Sequence, residues 1–171
     1  MRIFKYLGFK PLSLVAILFL ALAASVQAEE GRNIGYKVGQ TAPEFKLKSL
    51  AGKTYTLASL RKKRHVLLVF WAVECVYCYA EVKALNALHK KYNDKGLILA
   101  AINIGAEYDD DVAEYVKDNK IEYLILSNRL DNLDAAEAYH SIVTPTLVLI
   151  NPEGKIVSYG HSIPDISKFV K

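Results

Sequence analysis

The stretch Val66-Leu67-Leu68-Val69-Phe70-Trp71-Ala72-Val73-Glu74-Cys75-Val76-Tyr77-Cys78 decides how this chain folds. Its first six residues are apolar at consecutive positions, which predicts a strand buried on both faces. From Cys75 the apolar residues recur at helical spacing, and we expect this helix to end near Asn93, with Gly96 beyond it as a stop signal. The pattern predicts a β–α unit with both cysteines of the chain in the first turn of its helix.

The spacing of the two cysteines indicates a redox function. Residues i and i+3 share a helix face, so the sulfurs of Cys75 and Cys78 can bond. Backbone N–H groups and the positive end of the helix dipole favour a thiolate at Cys75. Structural disulfides tend to close long loops, because that removes more entropy from the unfolded chain, and a bond across two residues removes little. We therefore expect a reactive, reversible disulfide.

The first 28 residues have the pattern of a secretory signal peptide. Three basic residues precede an apolar run over residues 12–24, and small residues at the −3 and −1 positions predict cleavage after Ala28. The apolar run is shorter than the ~18 residues that a membrane-spanning helix requires. We expect a periplasmic or otherwise exported protein with no stable membrane span after cleavage. An uncleaved N-terminal anchor is the alternative.

The charge of the chain does not indicate a nucleic-acid partner. The predicted signal peptide holds three basic and no acidic residues, so the formal net charge of +4 falls to +1 for the remaining residues. The one basic run, Arg61-Lys62-Lys63-Arg64, precedes an apolar strand and is interpreted as a solvated loop.

The remaining residues alternate between strand-like and helix-like patterns. Residues 29–40 are interpreted as a flexible lead-in and residues 41–171 as one domain. The predicted elements are a β-hairpin over 45–57, strands over 66–71, 97–104, 123–126, 146–150 and 155–159, and helices over 75–93, 109–120, 131–139 and 163–170, with a type I turn at 151–154. This order predicts an α/β sandwich, and a Cys-x-x-Cys motif beside a β–α unit indicates thioredoxin-like architecture.

Five motifs follow one another along the chain: Ala42-Pro43-Glu44-Phe45, Trp71-Ala72 with Cys75-x-x-Cys78, Glu81, Thr144-Pro145-Thr146, and Asn151-Pro152-Glu153-Gly154-Lys155. In these motifs the chain resembles the TlpA/ResA type of exported thioredoxin-like proteins, within the AhpC/TSA-Redoxin superfamily. The resemblance implies a three-layer thioredoxin-like sandwich with an N-terminal β-hairpin extension and a helix-containing central insertion, here roughly residues 106–131. It implies thiol–disulfide exchange as the activity.

The cysteines and one acid are the candidate catalytic residues. Cys75, nearest the helix end, is expected to be the nucleophile, and Cys78 the resolving cysteine that breaks the mixed disulfide. Glu81 lies on the flank of the apolar stripe of the helix, where a carboxylate would be partly desolvated and its pKa raised, which suits proton exchange with thiols. A solvated helix glutamate is the alternative, and the resemblance favours the functional role.

Three further residues are candidates for substrate binding. By resemblance, Pro145 is cis and faces the disulfide, which leaves the Thr144 backbone to pair with a substrate chain; a trans proline at a strand start is the alternative. Trp71 either shields the disulfide or belongs to the core.

The chain also departs from the family pattern near the cysteines. Glu74 stands where an aromatic residue is frequent, and the dipeptide between the cysteines lacks the frequent proline. A negative charge beside Cys75 opposes the helix dipole and destabilises the thiolate. We hypothesise a more reducing couple than in strongly oxidising enzymes.

The expected function is reduction of specific protein disulfides, for example in apocytochrome c or in the copper-site cysteines of an oxidase. Electrons would come from a membrane thiol carrier, and the cysteine pair would be the only redox group, without a further cofactor. No metal is expected, because one Cys-x-x-Cys supplies two ligands and the four histidines are scattered. A peroxiredoxin-like peroxidase is one alternative, although Ala72 stands where that class has a threonine. A non-catalytic copper-delivery module is the other.

Overall fold

The structure is a computed structural model that describes residues 33–127 and 129–170. The predicted signal peptide, residues 1–28, and the first part of the predicted lead-in lie outside these ranges. No helix within them is long and apolar enough to cross a membrane.

The predicted hairpin is present but is followed by a helix that the sequence analysis did not predict. Strands β1 (Lys46–Lys48) and β2 (Thr54–Thr56) pair antiparallel, and helix α1 (Leu57–Arg61) begins directly after them. The Ser59 N–H donates to the Thr56 hydroxyl oxygen at 3.0 Å, and the Thr56 N–H donates to that of Ser59 at 2.9 Å. This reciprocal capping box starts the helix where the hairpin pattern predicted a continuing strand.

A five-stranded mixed sheet forms the centre of the fold, with strand order β5-β4-β3-β6-β7. The first three strands of this order run parallel, and β6 and β7 are antiparallel to their neighbours. The strands are β3 (His65–Trp71), β4 (Leu97–Asn103), β5 (Leu124–Leu126), β6 (Thr146–Ile150) and β7 (Ile156–Gly160); the helices are α2 (Val76–Tyr92), α3 (Asp109–Asp118) and α4 (Arg129–Ala138). The α/β sandwich is therefore confirmed, and the predicted central insertion contains α3 and the edge strand β5.

The two faces of the sheet bury different partners. Alternate side chains of β3 and its neighbours pack on one side against the hairpin, α1 and α4, and we call this side the hairpin face; its strand residues are Val66, Leu68, Phe70, Ala100, Ile102, Leu126, Val148 and Ile150. The opposite side packs against α2 and α3, and we call it the disulfide face; its strand residues are Leu67, Val69, Trp71, Leu97, Leu99, Ala101, Ile125, Leu147 and Leu149. Burial of β3 on both faces is what its continuous apolar run predicts.

The predicted closing helix over residues 163–170 is wrong. The structure has a single 3₁₀ turn, Ile166–Lys168, in its place. The Asp165 carboxylate accepts from the Ser167 hydroxyl at 2.6 Å and from its backbone N–H at 3.2 Å, which lowers the pKa of Asp165. Such local side-chain bonds compete with a longer helix, and Pro164 disfavours helical backbone at the residue before it. The helical spacing of Ile166 and Val170 therefore reflects burial on the disulfide face without a regular helix.

Residues just before the predicted boundary at residue 41 are hydrogen bonded to the rest of the domain. The compact unit starts at Gly35. The Gly39 N–H donates to the Ile156 carbonyl at 2.8 Å, and the Ile156 N–H donates to the Gln40 carbonyl at 2.9 Å. Gly39 and Gln40, which belong to the segment interpreted from the sequence as a flexible lead-in, are therefore hydrogen bonded to strand β7.

Candidate active site

The two cysteines form a disulfide in the first turn of α2. Cys75 is the N-cap residue, and its sulfur accepts a hydrogen bond from the Cys78 N–H at 3.1 Å. Cys75 is half-buried, whereas Cys78 is only 5 % exposed. An incoming sulfur can therefore reach Cys75 and not Cys78. The sulfur of Cys75 also lies where helix N–H groups and the dipole stabilise a thiolate.

The loop before Cys75 is held by an acid that the sequence analysis missed. The Val73 N–H donates to Glu107 Oε1 at 2.8 Å, which ties the β3–α2 loop to the β4–α3 loop. Glu107 lies 34 positions along the chain from Val73, so no local spacing points to this contact. A usable signal was the topology, because loops that follow adjacent parallel strands meet at the same edge of the sheet.

Trp71 lies in the same buried cluster as Cys78 and is 4 % exposed. Its ring packs against Tyr115 with centroids 5.1 Å apart. Burial raises the pKa of Tyr115, and the neighbouring Tyr79 adds to this shift. Among the described residues, Trp71 Nε1 has no hydrogen-bond partner. This burial favours the core-packing interpretation of Trp71 over direct contact with a docked substrate.

The Thr144–Pro145 peptide bond is cis, and Pro145 borders the same small cavity as Cys78. A small cavity of about 10 Å³ is bordered by Cys78, Glu81 and Pro145, with Trp71 and Tyr115 among its other lining residues. The structure therefore brings together the candidate resolving cysteine, the candidate acid and the candidate docking proline. These residues come from α2 and from the segment before β6, which are far apart in the sequence.

A groove of about 290 Å³ lies beside this cavity and is open to solvent. Its lining residues are Tyr77, Ala80, Glu81, Val143, Thr144, Pro145 and His161. Tyr77 is 77 % exposed and Val143 is 53 % exposed. The half-buried Glu81 lines both the solvent-open groove and the cavity that Cys78 borders. His161 is a second residue that the sequence analysis did not assign to the site.

Acidic residues surround the other side of the β3–α2 loop. A second groove, of about 430 Å³, is lined by Val73, Glu74, Glu107, Asp111, Glu114, Tyr115, Asp118 and Asn119. The exposed Glu74, next to Cys75, is thus joined by carboxylates from α3 and from the β4–α3 loop. Negative charge near Cys75 opposes formation of its thiolate.

The described residues include no group of three or more histidine, cysteine, aspartate or glutamate side chains that could hold a metal ion. The expectation that the site holds no metal and needs no further cofactor stays a prediction.

Comparison with known proteins assigns the chain to a family. The model of the AhpC/TSA family matches residues 38–159. The chain belongs to this family and to its TlpA/ResA-like thioredoxin-like proteins. It is 33 % identical over 119 residues to the thiol-disulfide oxidoreductase ResA of Geobacillus thermodenitrificans, covering 70 % of this chain and 66 % of that protein. It is 30 % identical over 131 residues to the thioredoxin-like protein YneN of Bacillus subtilis, covering 76 % and 75 %.

A solved structure of similar fold supports this assignment. The thioredoxin domain of a thiol-disulfide oxidoreductase from Bacteroides vulgatus superposes with a TM-score of 0.72 at 26 % identity, covering 79 % of this chain and 99 % of that domain. The predicted family and thioredoxin-like fold are confirmed. Together with the bonded Cys75–Cys78 pair, these relatives identify the chain as a thiol–disulfide oxidoreductase.

Proposed function

We propose that this protein is exported and that it reduces disulfides in specific protein substrates. The observation that carries the proposal is the different accessibility of the two sulfurs beside an open groove. Cys75 is half-buried, Cys78 is buried, and Thr144 and Pro145 are among the residues that line the groove next to them. A small disulfide would need no such groove, whereas an extended chain can pair with exposed backbone along it.

The reaction begins with the reduced enzyme. The Cys75 thiolate attacks one sulfur of the substrate disulfide, which forms a mixed disulfide and releases the other substrate sulfur as a thiolate that takes up a proton. The Cys78 thiolate then attacks the Cys75 sulfur. This step forms the Cys75–Cys78 disulfide and releases the second substrate thiolate, which is also protonated. The substrate gains two electrons and two protons, and the enzyme dithiol loses the same.

Glu81 is proposed to exchange protons with the buried cysteine. Cys78 must lose its proton before it attacks, and its burial removes it from direct contact with water. Because Glu81 lines both the cavity next to Cys78 and the solvent-open groove, its carboxylate can accept the thiol proton and pass it to water.

The cellular setting is also proposed. The N-terminal signal pattern supports export, and a protein that reduces disulfides in an oxidising compartment needs a continuing supply of electrons. A membrane thiol carrier would reduce the Cys75–Cys78 disulfide after each turnover. Cysteine pairs that must be reduced before they bind haem or copper, as in cytochrome c maturation or oxidase assembly, are suitable substrates.

Trapping of the mixed disulfide tests this function. In Cys78→Ser the resolving step is absent, so a substrate that attaches to Cys75 stays bound. We expect the full-length variant, expressed in cells, to yield discrete reducible complexes in the envelope fraction, and mass spectrometry identifies the attached proteins. Cys75→Ser, which lacks the attacking sulfur, is the matched control and should yield none. Equal complexes from both variants, or complexes only in the cytosol, would contradict the proposal.

A further inference from the structure

We propose that His161 is a positioning residue for the substrate chain. Its imidazole holds the carbonyl group of cis Pro145 and leaves the Thr144 backbone as the docking group beside the disulfide. This inference rests on the proposed reductase function and adds to it a residue that determines how a peptide is held.

The position of His161 follows from the pairing of the last two strands. Gly160, the last residue of β7, lies opposite Leu147 of β6. His161, the residue that follows β7, is thereby brought beside Pro145, two residues before Leu147. Its Nδ1 lies 3.0 Å from the Pro145 carbonyl oxygen.

The contact fixes which ring nitrogen carries a proton. A carbonyl oxygen only accepts, so His161 Nδ1 must donate in this hydrogen bond. Both the neutral ring protonated at Nδ1 and the imidazolium donate from this atom. The hydrogen bond therefore holds the Pro145 carbonyl in either protonation state of the histidine.

The three residues around the cis bond differ in which backbone groups are occupied. The Val143 carbonyl accepts from the Thr146 hydroxyl at 2.6 Å, and the Pro145 carbonyl accepts from His161. In the described part of the chain, the Thr144 N–H and carbonyl make no hydrogen bond. Thr144 is therefore the residue of this segment that offers both a donor and an acceptor.

This arrangement sets the register of a docked chain. An extended peptide pairs with the N–H and carbonyl of the same residue when it adds to an exposed strand edge. Carbonyls of consecutive residues in an extended chain point to opposite edges, and the Pro145 carbonyl is held on the β7 side by His161. This anchor fixes the orientation in which the Thr144 backbone meets the peptide. The disulfide of the peptide is thus presented to Cys75 from one register.

Comparison of two substrates tests the role of His161. One is a synthetic peptide with an internal disulfide in an extended sequence, and the other is 2-hydroxyethyl disulfide, which has no backbone to dock. The variants are His161→Phe, which keeps a ring and loses the donor, and His161→Asn, whose amide nitrogen can occupy the place of Nδ1. His140→Asn is the matched control, because His140 stacks on Tyr36, with ring centroids 4.7 Å apart, and does not line the groove.

We expect His161→Phe to lower the ratio of kcat/KM for the peptide to kcat/KM for the small disulfide by about three- to tenfold, the size of one hydrogen bond. The change should lie mainly in KM for the peptide. His161→Asn should restore most of the ratio, and His140→Asn should keep it. The reduction potential of the Cys75–Cys78 pair should be the same in all four proteins.

Three results would overturn the role of His161: an unchanged ratio in His161→Phe, no recovery in His161→Asn, or a reduction potential that shifts together with the ratio. Should His161→Phe not fold, His161→Ala takes its place in the same comparison. A wild-type protein that reduces neither substrate would refute the proposed function itself. A wild-type protein that reduces both, with variants of unchanged ratio, would refute only the inference about His161.

Discussion

The buried aromatic residues on the two faces of the central sheet differ in their hydrogen bonds. On the hairpin face, the fully buried Tyr139 donates its hydroxyl to the Pro43 carbonyl at 2.6 Å and packs against Phe70, with ring centroids 5.4 Å apart. On the disulfide face, Trp71 Nε1 and the Tyr115 hydroxyl are buried without a hydrogen-bond partner among the described residues. The small cavity beside Cys78 also lies on this face.

The difference indicates that the hydrogen-bonded Tyr139 on the hairpin face contributes to the stability of the fold. The disulfide face instead holds the residues of the redox site. Removal of a buried hydroxyl that has a partner breaks a hydrogen bond and leaves the partner carbonyl unpaired. Removal of an unpaired hydroxyl changes the free energy of unfolding little. We therefore expect substitutions on the hairpin face to change the free energy of unfolding. Substitutions near the end of the disulfide face should change the rate and potential of thiol exchange.

The largest effect should come from the nucleophile. Cys75→Ser replaces the attacking sulfur with a hydroxyl that cannot form the mixed disulfide, so turnover with any disulfide should fall by about a thousandfold or more. The free energy of unfolding, compared with that of the wild type in reducing buffer, should change by less than about 1 kcal/mol. Insulin reduction and urea unfolding are the two measurements. Retained turnover would mean that Cys78 or another group starts the exchange.

Glu81→Gln should have the next largest effect and should separate proton exchange from folding. The amide cannot accept the Cys78 proton, so we expect single-turnover resolution of a mixed disulfide to slow by about ten- to a hundredfold. The loss should shrink as the pH rises, because hydroxide then removes the thiol proton directly. Glu137→Gln, an exposed acid on α4, is the control. A pH profile parallel to that of the wild type would assign Glu81 to the solvated surface of the helix.

Tyr139→Phe and Tyr115→Phe compare the two faces directly. Removal of the Tyr139 hydroxyl leaves the Pro43 carbonyl unpaired and should lower the free energy of unfolding by about 1–3 kcal/mol. The Tyr115 hydroxyl has no partner in the described part of the chain, so its removal should change that free energy by less than about 0.5 kcal/mol. Urea unfolding measures both. Equal losses of unfolding free energy would mean that the hydrogen bond of Tyr139 stabilises the fold no more than the unpaired Tyr115 hydroxyl does.

Removal of the Tyr139 hydroxyl should also change the stability of the protein in alkaline solution. Burial raises the pKa of Tyr139 far above its usual value of 10, with Glu44 adding to the shift and Arg61 opposing it. Above pH 10 the unfolded chain loses this proton and the folded chain keeps it, so the free energy of unfolding falls as the pH rises. Tyr139→Phe should have a shallower decline above pH 10 than the wild type.

The sequence was informative where one local pattern determines one element. The continuous apolar run of β3 and the cysteine spacing at its end were enough to predict the strand, the helix and the redox pair. At residues 163–170 two local patterns conflict. The spacing of Ile166 and Val170 resembles a helix, whereas Pro164 and Asp165 favour a turn, so the predicted helix was wrong.

The part of the site that lies outside α2 depends on contacts between segments that are distant in the sequence. The family resemblance pointed to Thr144 and Pro145, but nothing near His161 or Glu107 in the sequence indicates a role for either residue. His161 reaches the site through the β6–β7 register, and Glu107 through the meeting of two parallel-strand loops. Both are products of topology, which a one-dimensional pattern does not specify.

The smallest predicted effect concerns the charge next to the nucleophile. Glu74→Gln removes a negative charge beside Cys75, which stabilises the thiolate and therefore the reduced form of the pair. For an exposed charge a few ångströms away, the change corresponds to a reduction potential that is about 5–15 mV less negative, and the Cys75 thiolate should form more readily.

Equilibration with glutathione measures the reduction potential. The ultraviolet absorbance of the thiolate follows the ionisation of Cys75 in a Cys78→Ser background. Glu137→Gln, which removes an equal charge from α4, should leave both quantities unchanged. High salt should reduce the difference between Glu74→Gln and the wild type, because exposed charges are screened. A more negative potential in Glu74→Gln would show that this carboxylate stabilises the dithiol. The acidic residues that line the groove beside Cys75 would then not explain a more reducing cysteine pair.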